Sequence, residues 1–301
     1  MKFSILIPAY KATFFKECLD SVLSQTYPDY EVVILNDCSP EPIKEIVSEY
    51  HNSKIRYYEN EHNVGAIKVV DNWNKLLDLA KGEYVICMGD DDKLTSDCLE
   101  KYINSIFHHG EKYDLYHARA AIINQSSEII DIQEDRPDYE SVYSIIWHGF
   151  QKGRIGFIGD FLFRKAKLKS VGGFHSFPLA LASDWVSCEL VAQEKGVINL
   201  HSPTFLYRTS KFTITSSGNS RIQADASLLY QEWVKNFLSP VTSNRLDELY
   251  RNLTLLNFER HLRLSRSNFA ARDMSKCFLP GFIFWFRNRR HYEISNYNFF
   301  I

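Results

Sequence analysis

The chain of 301 residues has no CxxC pair, and its six cysteines (Cys18, Cys38, Cys87, Cys98, Cys188, Cys277) fall mostly in apolar or helical-looking stretches. That pattern suits small buried thiols and predicts a reducing compartment. Excess charge of one sign is missing too: 35 basic against 37 acidic residues leave a net charge of −2. No general field therefore draws nucleic acid or an anionic membrane to the protein, and any basic site must be local. No apolar run approaches the roughly 20 residues needed to span a bilayer. The chain enters a strand-like run, Phe3-Ser4-Ile5-Leu6-Ile7, without a charged leader or a small-residue cleavage site. The expectation is a cytoplasmic protein with no secretory signal. Internal repeats and low-complexity tracts are absent.

What is present suffices for a large core: 45% of the residues are hydrophobic and 14% aromatic, enough for one large domain or two modest ones. β-Branched and aromatic runs near 3–8, 31–36, 55–59 and 84–88 predict strands, and amphipathic stretches near 12–25, 41–51 and 65–80 predict helices between them. This alternation argues for an α/β fold with a mostly parallel sheet. Ligands of such sheets bind beyond the carboxyl ends of the strands, so residues 8–10, 36–39 and 89–92 should meet in one crevice. From about 114 longer strands are expected, Asp114 to Ile123 and Ile155 to Arg164, separated by a polar, proline-containing segment from Ser126 to Asp138. A mixed sheet with mobile loops follows from that pattern. Beyond 222 the signal turns helical (Leu228, Leu229, Trp233, Phe237, then Leu249, Leu253, Leu256, Phe258). The chain divides on this reading into residues 1–220, themselves split at 113/114, and a helical region 221–301.

Three polar clusters close the three strands. Tyr84-Val85-Ile86-Cys87-Met88 ends in Gly89 and three successive carboxylates, Asp90, Asp91 and Asp92. Adjacent like charges repel and are tolerated best beside solvent or a cation. Mn2+ or Mg2+ prefers oxygen ligands and typically takes one or two carboxylates plus phosphate oxygens. The plain alternative is a solvated acidic turn before a helix. Ile34-Leu35-Asn36-Asp37-Cys38-Ser39 presents groups suited to a nucleobase or ribose, or else a simple Asx turn. Ile7-Pro8-Ala9-Tyr10 gives a proline-stiffened exit from the first strand, or merely terminates it.

Together and in this order these segments resemble the family 2 glycosyltransferases. Asn63-Val64-Gly65, Asn74 and Ala80-Lys81-Gly82-Glu83-Tyr84 stand at family-like spacings between them. The resemblance implies the GT-A fold, a Rossmann-like nucleotide-binding half with a mixed central sheet, followed here by a C-terminal helical extension. It implies residues 1–113 as the nucleotide-sugar-binding half and 114–220 as the acceptor half. Pro8, Ala9, Tyr10, Asp37, Asn63, Gly65, Asn74 and Asp90 would border the donor, and Asp91 and Asp92 would hold the metal. The family's aspartate cluster usually begins one position earlier, where this chain has Gly89.

The segment Gly172-Gly173-Phe174 to Ser183-Asp184-Trp185 resembles the family's Gly-Gly-Phe and acidic pair, of which only Asp184 remains. Asp184 is the expected catalytic base, or the N-cap of the following helix. Leu206-Tyr207-Arg208-Thr209-Ser210 resembles the family's Tyr-Arg segment, with Ser210 where many members carry a histidine. Arg208 would approach the donor diphosphate. His148, His175 and His201 fall on the acceptor side without a role in the main site. The polar loop Ser210–Gly218 is expected to order over bound donor.

The implied activity is inverting, divalent-metal-dependent transfer of a hexose or related sugar from a nucleotide-diphosphate donor, a UDP-sugar favoured. The acceptor would be a saccharide or lipid-linked saccharide in bacterial surface polysaccharide synthesis. Two alternatives stand beside it: a sugar-1-phosphate nucleotidyltransferase, and a non-catalytic sugar-nucleotide or carbohydrate-binding module. The former usually carries a glycine-rich basic loop after strand one, where this chain has Ala9-Tyr10-Lys11-Ala12-Thr13. Finally, aromatics abut arginines in Phe278–Arg290, a composition suited to peripheral contact with the inner face of the cytoplasmic membrane or to docking on the catalytic domain.

Overall fold

The computed structural model describes residues 1–152, 154–209 and 220–268. The loop 210–218 and the tail 278–290 lie outside them. The first half runs β1 (Phe3–Ala9), α1 (Phe15–Leu23), β2 (Tyr30–Asn36), α2 (Ile43–Ser48), β3 (Ile55–Glu59), α3 (Val69–Leu79) and β4 (Tyr84–Cys87). These four strands are parallel in the order β3-β2-β1-β4. β1, β2 and β4 are buried on both faces, as their near-continuous apolar runs require, whereas β3 at the sheet edge is half-buried. Phe3, Ile5, Ile7 and Ala9 face one core; Leu6, like Val33, Leu35, Val85 and Cys87 on the adjoining strands, faces the other.

The chain continues through β5 (Lys93–Leu94), α4 (Cys98–His108), β6 (Leu115–Ile123), β7 (Ile129–Ile132), β8 (Tyr139–Glu140), α5 (Val142–Lys152) and β9 (Phe161–Arg164). Then follow α6 (Lys165–Ser170), α7 (Ser183–Ala192), β10 (Val197–Arg208), α8 (Ser220–Phe237) and α9 (Arg245–Asn268). The sheet extends as β4-β9-β6-β10-β5. β9 lies antiparallel to both β4 and β6, and β10 is parallel to β6 and antiparallel to β5. The sheet is therefore mixed in its second half, as expected.

Helices cover both faces. Phe15, Cys18, Leu19 and Val22 of α1, and Cys98, Leu99, Tyr102 and Ile106 of α4, build the first core. Val70, Trp73, Leu76 and Leu77 of α3, with residues of α5 and α7, build the second; Val234 and Leu238, at and just beyond the end of α8, and Phe258 of α9 join it. The C-terminal helices thus contribute to the core beneath the sheet. Phe174 packs edge-on to Trp73 (5.8 Å) and Phe163 (5.6 Å), contacts that each add about 0.5–1.5 kcal/mol beyond area burial. Of the five described cysteines only Cys38 is exposed, and none is paired.

One expected strand is shorter than its pattern. Within Ile155 to Arg164 only Phe161–Arg164 is a strand, and Ile158–Asp160 is a 3-10 turn. Gly159 sits so close to Phe205 that a Cβ there would lie 2.3 Å from the ring. The backbone must turn at that contact, and Asp160, fully buried, follows it. The segment 126–138, expected to be irregular, contributes β7 to the sheet. The strand Val197–Arg208, with its irregular register between Leu200 and Phe205, was not expected from the sequence, because Pro203 breaks the alternation.

Candidate active site

The carboxyl ends of β1, β2 and β4 lie side by side, with Ala9 opposite Asn36 and Leu6 opposite Cys87. Asp37 donates its N–H to the Ala9 carbonyl (2.9 Å). Its Oδ1 accepts from Asn60 Nδ2 (2.8 Å) and Val64 N–H (3.1 Å), and its carbonyl accepts from Asn63 Nδ2 (2.9 Å). The loop 60–65 is thereby drawn onto the end of β2. Tyr10 is 41% exposed at the mouth. Pro8, Ala9, Tyr10, Asp37, Asn63 and Gly65 are thus brought to one edge.

The acidic turn divides its labour. Asp90 is buried and turned back: its Oδ2 accepts the N–H groups of Tyr10 and Lys11, each at 2.7 Å. Burial, and then the neighbouring Asp91 charge, push its carboxyl up to about 6, against those two donors. Asp91 is the most open of the three, and its carboxyl is raised by burial; Asp92 is raised further, by burial and by Asp91. Asp91 Oδ1 and Asp92 Oδ2 each lie 3.0 Å from the point a Cβ on Gly89 would occupy. The glycine that replaces the family's first aspartate therefore leaves a small space onto which two carboxylate oxygens converge. Two desolvated carboxylates with raised pKa values, facing one gap, are a donor set that suits a hard divalent cation. Among the described residues no group of three or more His, Cys, Asp or Glu side chains stands in a metal-holding arrangement.

Two residues expected to border the donor are placed differently. Asn74 exchanges hydrogen bonds with Phe174, donating from Nδ2 to its carbonyl (2.9 Å) and accepting its N–H on Oδ1 (2.8 Å). Its amide is committed to the Gly-Gly-Phe turn because Gly173, at φ +85°, comes so close that a Cβ would stand 2.4 Å from Asn74 Oδ1. Arg208 is fully buried beneath the acidic turn, and all five of its N–H groups go to protein oxygens. In this arrangement it offers no N–H to a diphosphate. It is also no surface ion pair, since its contact with Glu17 (3.0 Å) is buried on the arginine side.

Asp184 is half-buried at the second position of α7, inside the first turn rather than capping it, and its Oδ1 accepts the Trp185 N–H (2.8 Å). Burial holds its carboxyl near 7; the Asp160 charge adds to the rise, and the Trp185 N–H partly offsets it. Three non-glycine residues just before it, Leu179, Ala180 and Ala182, have φ of 60°, 54° and 59°. Such left-handed backbone costs free energy and gathers at functional sites. Ser183 Oγ accepts the Phe177 N–H and Ser187 Oγ the His175 N–H, each at 2.9 Å, and hold the bend. The 3-10 turn Ala66–Lys68 packs against the turn Pro178–Ala180, so the loop that follows β3 and the approach to Asp184 meet along one seam. Glu17, Ser127 and Asp160 take part in these networks without any sign in residue spacing, because each is recruited by a contact distant in sequence.

A doubly covered mixed sheet with an acidic turn at the carboxyl edge of its parallel half is the arrangement of the GT-A fold. Residues 4–159, just over half the chain, match the Glycosyl transferase family 2 model, and the chain belongs to that family. It is 34% identical over 103 residues to the putative teichuronic acid biosynthesis glycosyltransferase TuaG of Bacillus subtilis, covering 33% of this chain and 40% of TuaG. It is 32% identical over 104 residues to the poly(ribitol-phosphate) beta-N-acetylglucosaminyltransferase TarS of Staphylococcus aureus, covering 33% of this chain and 18% of TarS. The crystal structure of TarS 1–349 with UDP-GlcNAc superposes with a TM-score of 0.68 at 20% identity, over 92% of this chain and 77% of that one. The mannosyltransferase PcManGT of Pyrobaculum calidifontis, solved with GDP-Man and Mn2+, gives 0.57 at 17% identity, over 98% and 81%. Among the described residues no helix is long and apolar enough to cross a membrane.

Proposed function

We propose that the chain transfers a sugar, with inversion, from a nucleotide-diphosphate donor to an acceptor hydroxyl during assembly of a bacterial surface polysaccharide. The observation that carries this reading is the Asp184 carboxyl held near 7, where a general base both ionises readily and accepts a proton. Pro8, Ala9 and Tyr10 border the nucleoside in this reading. Asp37 Oδ1 is already used by Asn60 and Val64, so recognition of the base falls to Oδ2. The loop at Asn63 and Gly65 closes the same side.

Asp91 and Asp92 would hold Mn2+ or Mg2+, which when bound stabilises the charge that develops on the departing diphosphate. Asp90 stays behind them and fixes the Tyr10–Lys11 backbone. Asp184 accepts the acceptor hydroxyl proton as that oxygen forms its bond to the anomeric carbon and the bond to the diphosphate breaks. A single displacement of this kind inverts the anomeric configuration. The teichuronic acid and poly(ribitol-phosphate) functions in the names of TuaG and TarS favour a cell-surface polymer as product, and the UDP-GlcNAc bound by TarS favours a UDP-sugar. In this reading the reaction takes place on the cytoplasmic side of the membrane.

The test is a panel of UDP- and GDP-sugars with Mn2+ or Mg2+, scored first by thermal shift, since a ligand that binds only the folded state must raise its stability. Release of nucleoside diphosphate with candidate acceptors follows. Failure of every nucleotide sugar to raise Tm would refute the reading.

A further inference from the structure

Arg208 is the bulkiest of the fully buried side chains among the described residues. A guanidinium in that position is tolerable only if its charge and all its donors are met. They are met in four directions. Nε–H donates to the Asp91 carbonyl (2.8 Å) and one terminal nitrogen to the carbonyls of Asn124 (3.0 Å) and Gln125 (3.3 Å). The other terminal nitrogen reaches Glu17 Oε2 and Ser127 Oγ, both at 3.0 Å, and the cation lies 4.2 Å from the centre of the Phe14 ring. The backbone N–H of Arg208 adds a bond to Asp92 Oδ1 (2.9 Å).

The last contact has a directional effect. With Oδ1 of Asp92 held by the main-chain N–H of residue 208, its Oδ2 is the oxygen turned toward Gly89, beside Asp91 Oδ1; that bond survives any side chain at 208, and the guanidinium acts by fixing the backbone that makes it. The Nε bond meanwhile grips the carbonyl of the peptide joining the two aspartates. The guanidinium ties that peptide to α1 and to the 124–127 turn, which are remote in sequence and rigidly placed. A lysine cannot reproduce this, because three donors on one point cannot span a planar fork.

We propose that Arg208 is a positioning residue that orients the Asp91 and Asp92 carboxylates toward a common space, and so sets the affinity for a metal-bound nucleoside diphosphate without touching it. The proposal rests on the assignment of those two aspartates to the metal given above. The readout is the ratio of the UDP dissociation constants measured without and with Mn2+ by calorimetry on the full chain. Arg208→Lys should lower that ratio at least tenfold while leaving metal-free UDP binding as in the wild type. A lowered Tm with an unchanged ratio would make the arginine merely structural and overturn the proposal. If Arg208→Lys yields no folded protein, the double variant Glu17→Ala/Ser127→Ala, which removes both acceptors of one arm, should lower the ratio at least threefold, and an unchanged ratio again overturns it. Asp91→Asn separates the two levels. If it collapses the ratio and Arg208→Lys does not, only the role of Arg208 fails; if it too leaves the ratio intact, the metal assignment fails with it.

Discussion

Replacing Asp184 by Asn should make the protein inactive and, at alkaline pH, more stable. Burial raises this carboxyl from 3.8 in the unfolded chain to about 7 in the folded one. The folded state binds the proton more tightly, so the stabilising contribution is complete below about pH 4 and is lost as pH rises through about 7. A shift of roughly 3 units corresponds to about 4 kcal/mol at most, and partial exposure to water cuts this to an expected ~1–2 kcal/mol. Asparagine never ionises and escapes the penalty. At about 2–4 °C per kcal/mol for a chain of this size, Tm of the variant should exceed that of the wild type by roughly 2–8 °C at pH 8. The two should converge near pH 4. Activity moves the other way: loss of a general base costs about 10²–10⁴-fold in kcat, and wild-type kcat/KM should rise with pH to a plateau above about 7. Differential scanning calorimetry across this range, with a coupled assay of nucleoside diphosphate release, checks both. Undiminished transfer by the variant would show that Asp184 is not the base, and identical Tm profiles would show that burial does not raise its carboxyl.

Asp90→Asn keeps an oxygen for the Tyr10 and Lys11 N–H groups but removes a carboxyl whose folded value is about 6. The carboxyl's contribution is lost as pH rises through 6, so the variant should gain about 1 kcal/mol in urea unfolding at pH 8 and nothing near pH 4. Asn74→Ala strands the N–H and carbonyl of Phe174 and should cost about 1–3 kcal/mol by the same measurement. Gly173→Ala, with a contact of 2.4 Å and a φ of +85°, should cost at least as much. Gly89→Ala places a methyl against Asp91 Oδ1 and Asp92 Oδ2; nucleotide titrations should show weaker binding in Mn2+ and little change without it.

The parallel half of the fold was legible in the sequence because its inner strands β1, β2 and β4 are short, doubly buried and mostly apolar. Each ends where a polar cluster interrupts the run, and that local rule marked Pro8–Tyr10, Asp37 and Asp90–Asp92 as neighbours before any coordinates. The second half was harder to read. Gly159 turns the chain where Phe205 crowds it, and Pro203 disturbs the pattern of β10, and both effects arise from partners distant in the chain.

Residue type along the chain was enough to gather the three strand-end clusters into one crevice, and resemblance to the family added the loop at Asn63–Gly65 and Asp184 to the same hypothesis. Only the tertiary structure shows which side chains have their hydrogen-bonding groups taken up by the protein itself. Asn74 and Arg208 carry donors as suitable for a phosphate as for a carbonyl, and nothing in a sequence says which acceptor lies closer. The fold pairs Asn74 with the N–H and carbonyl of Phe174, and Arg208 with three backbone carbonyls, Glu17 and Ser127. It also supplies the burial that moves the Asp184 proton affinity toward neutrality, a property of the environment that no single residue encodes.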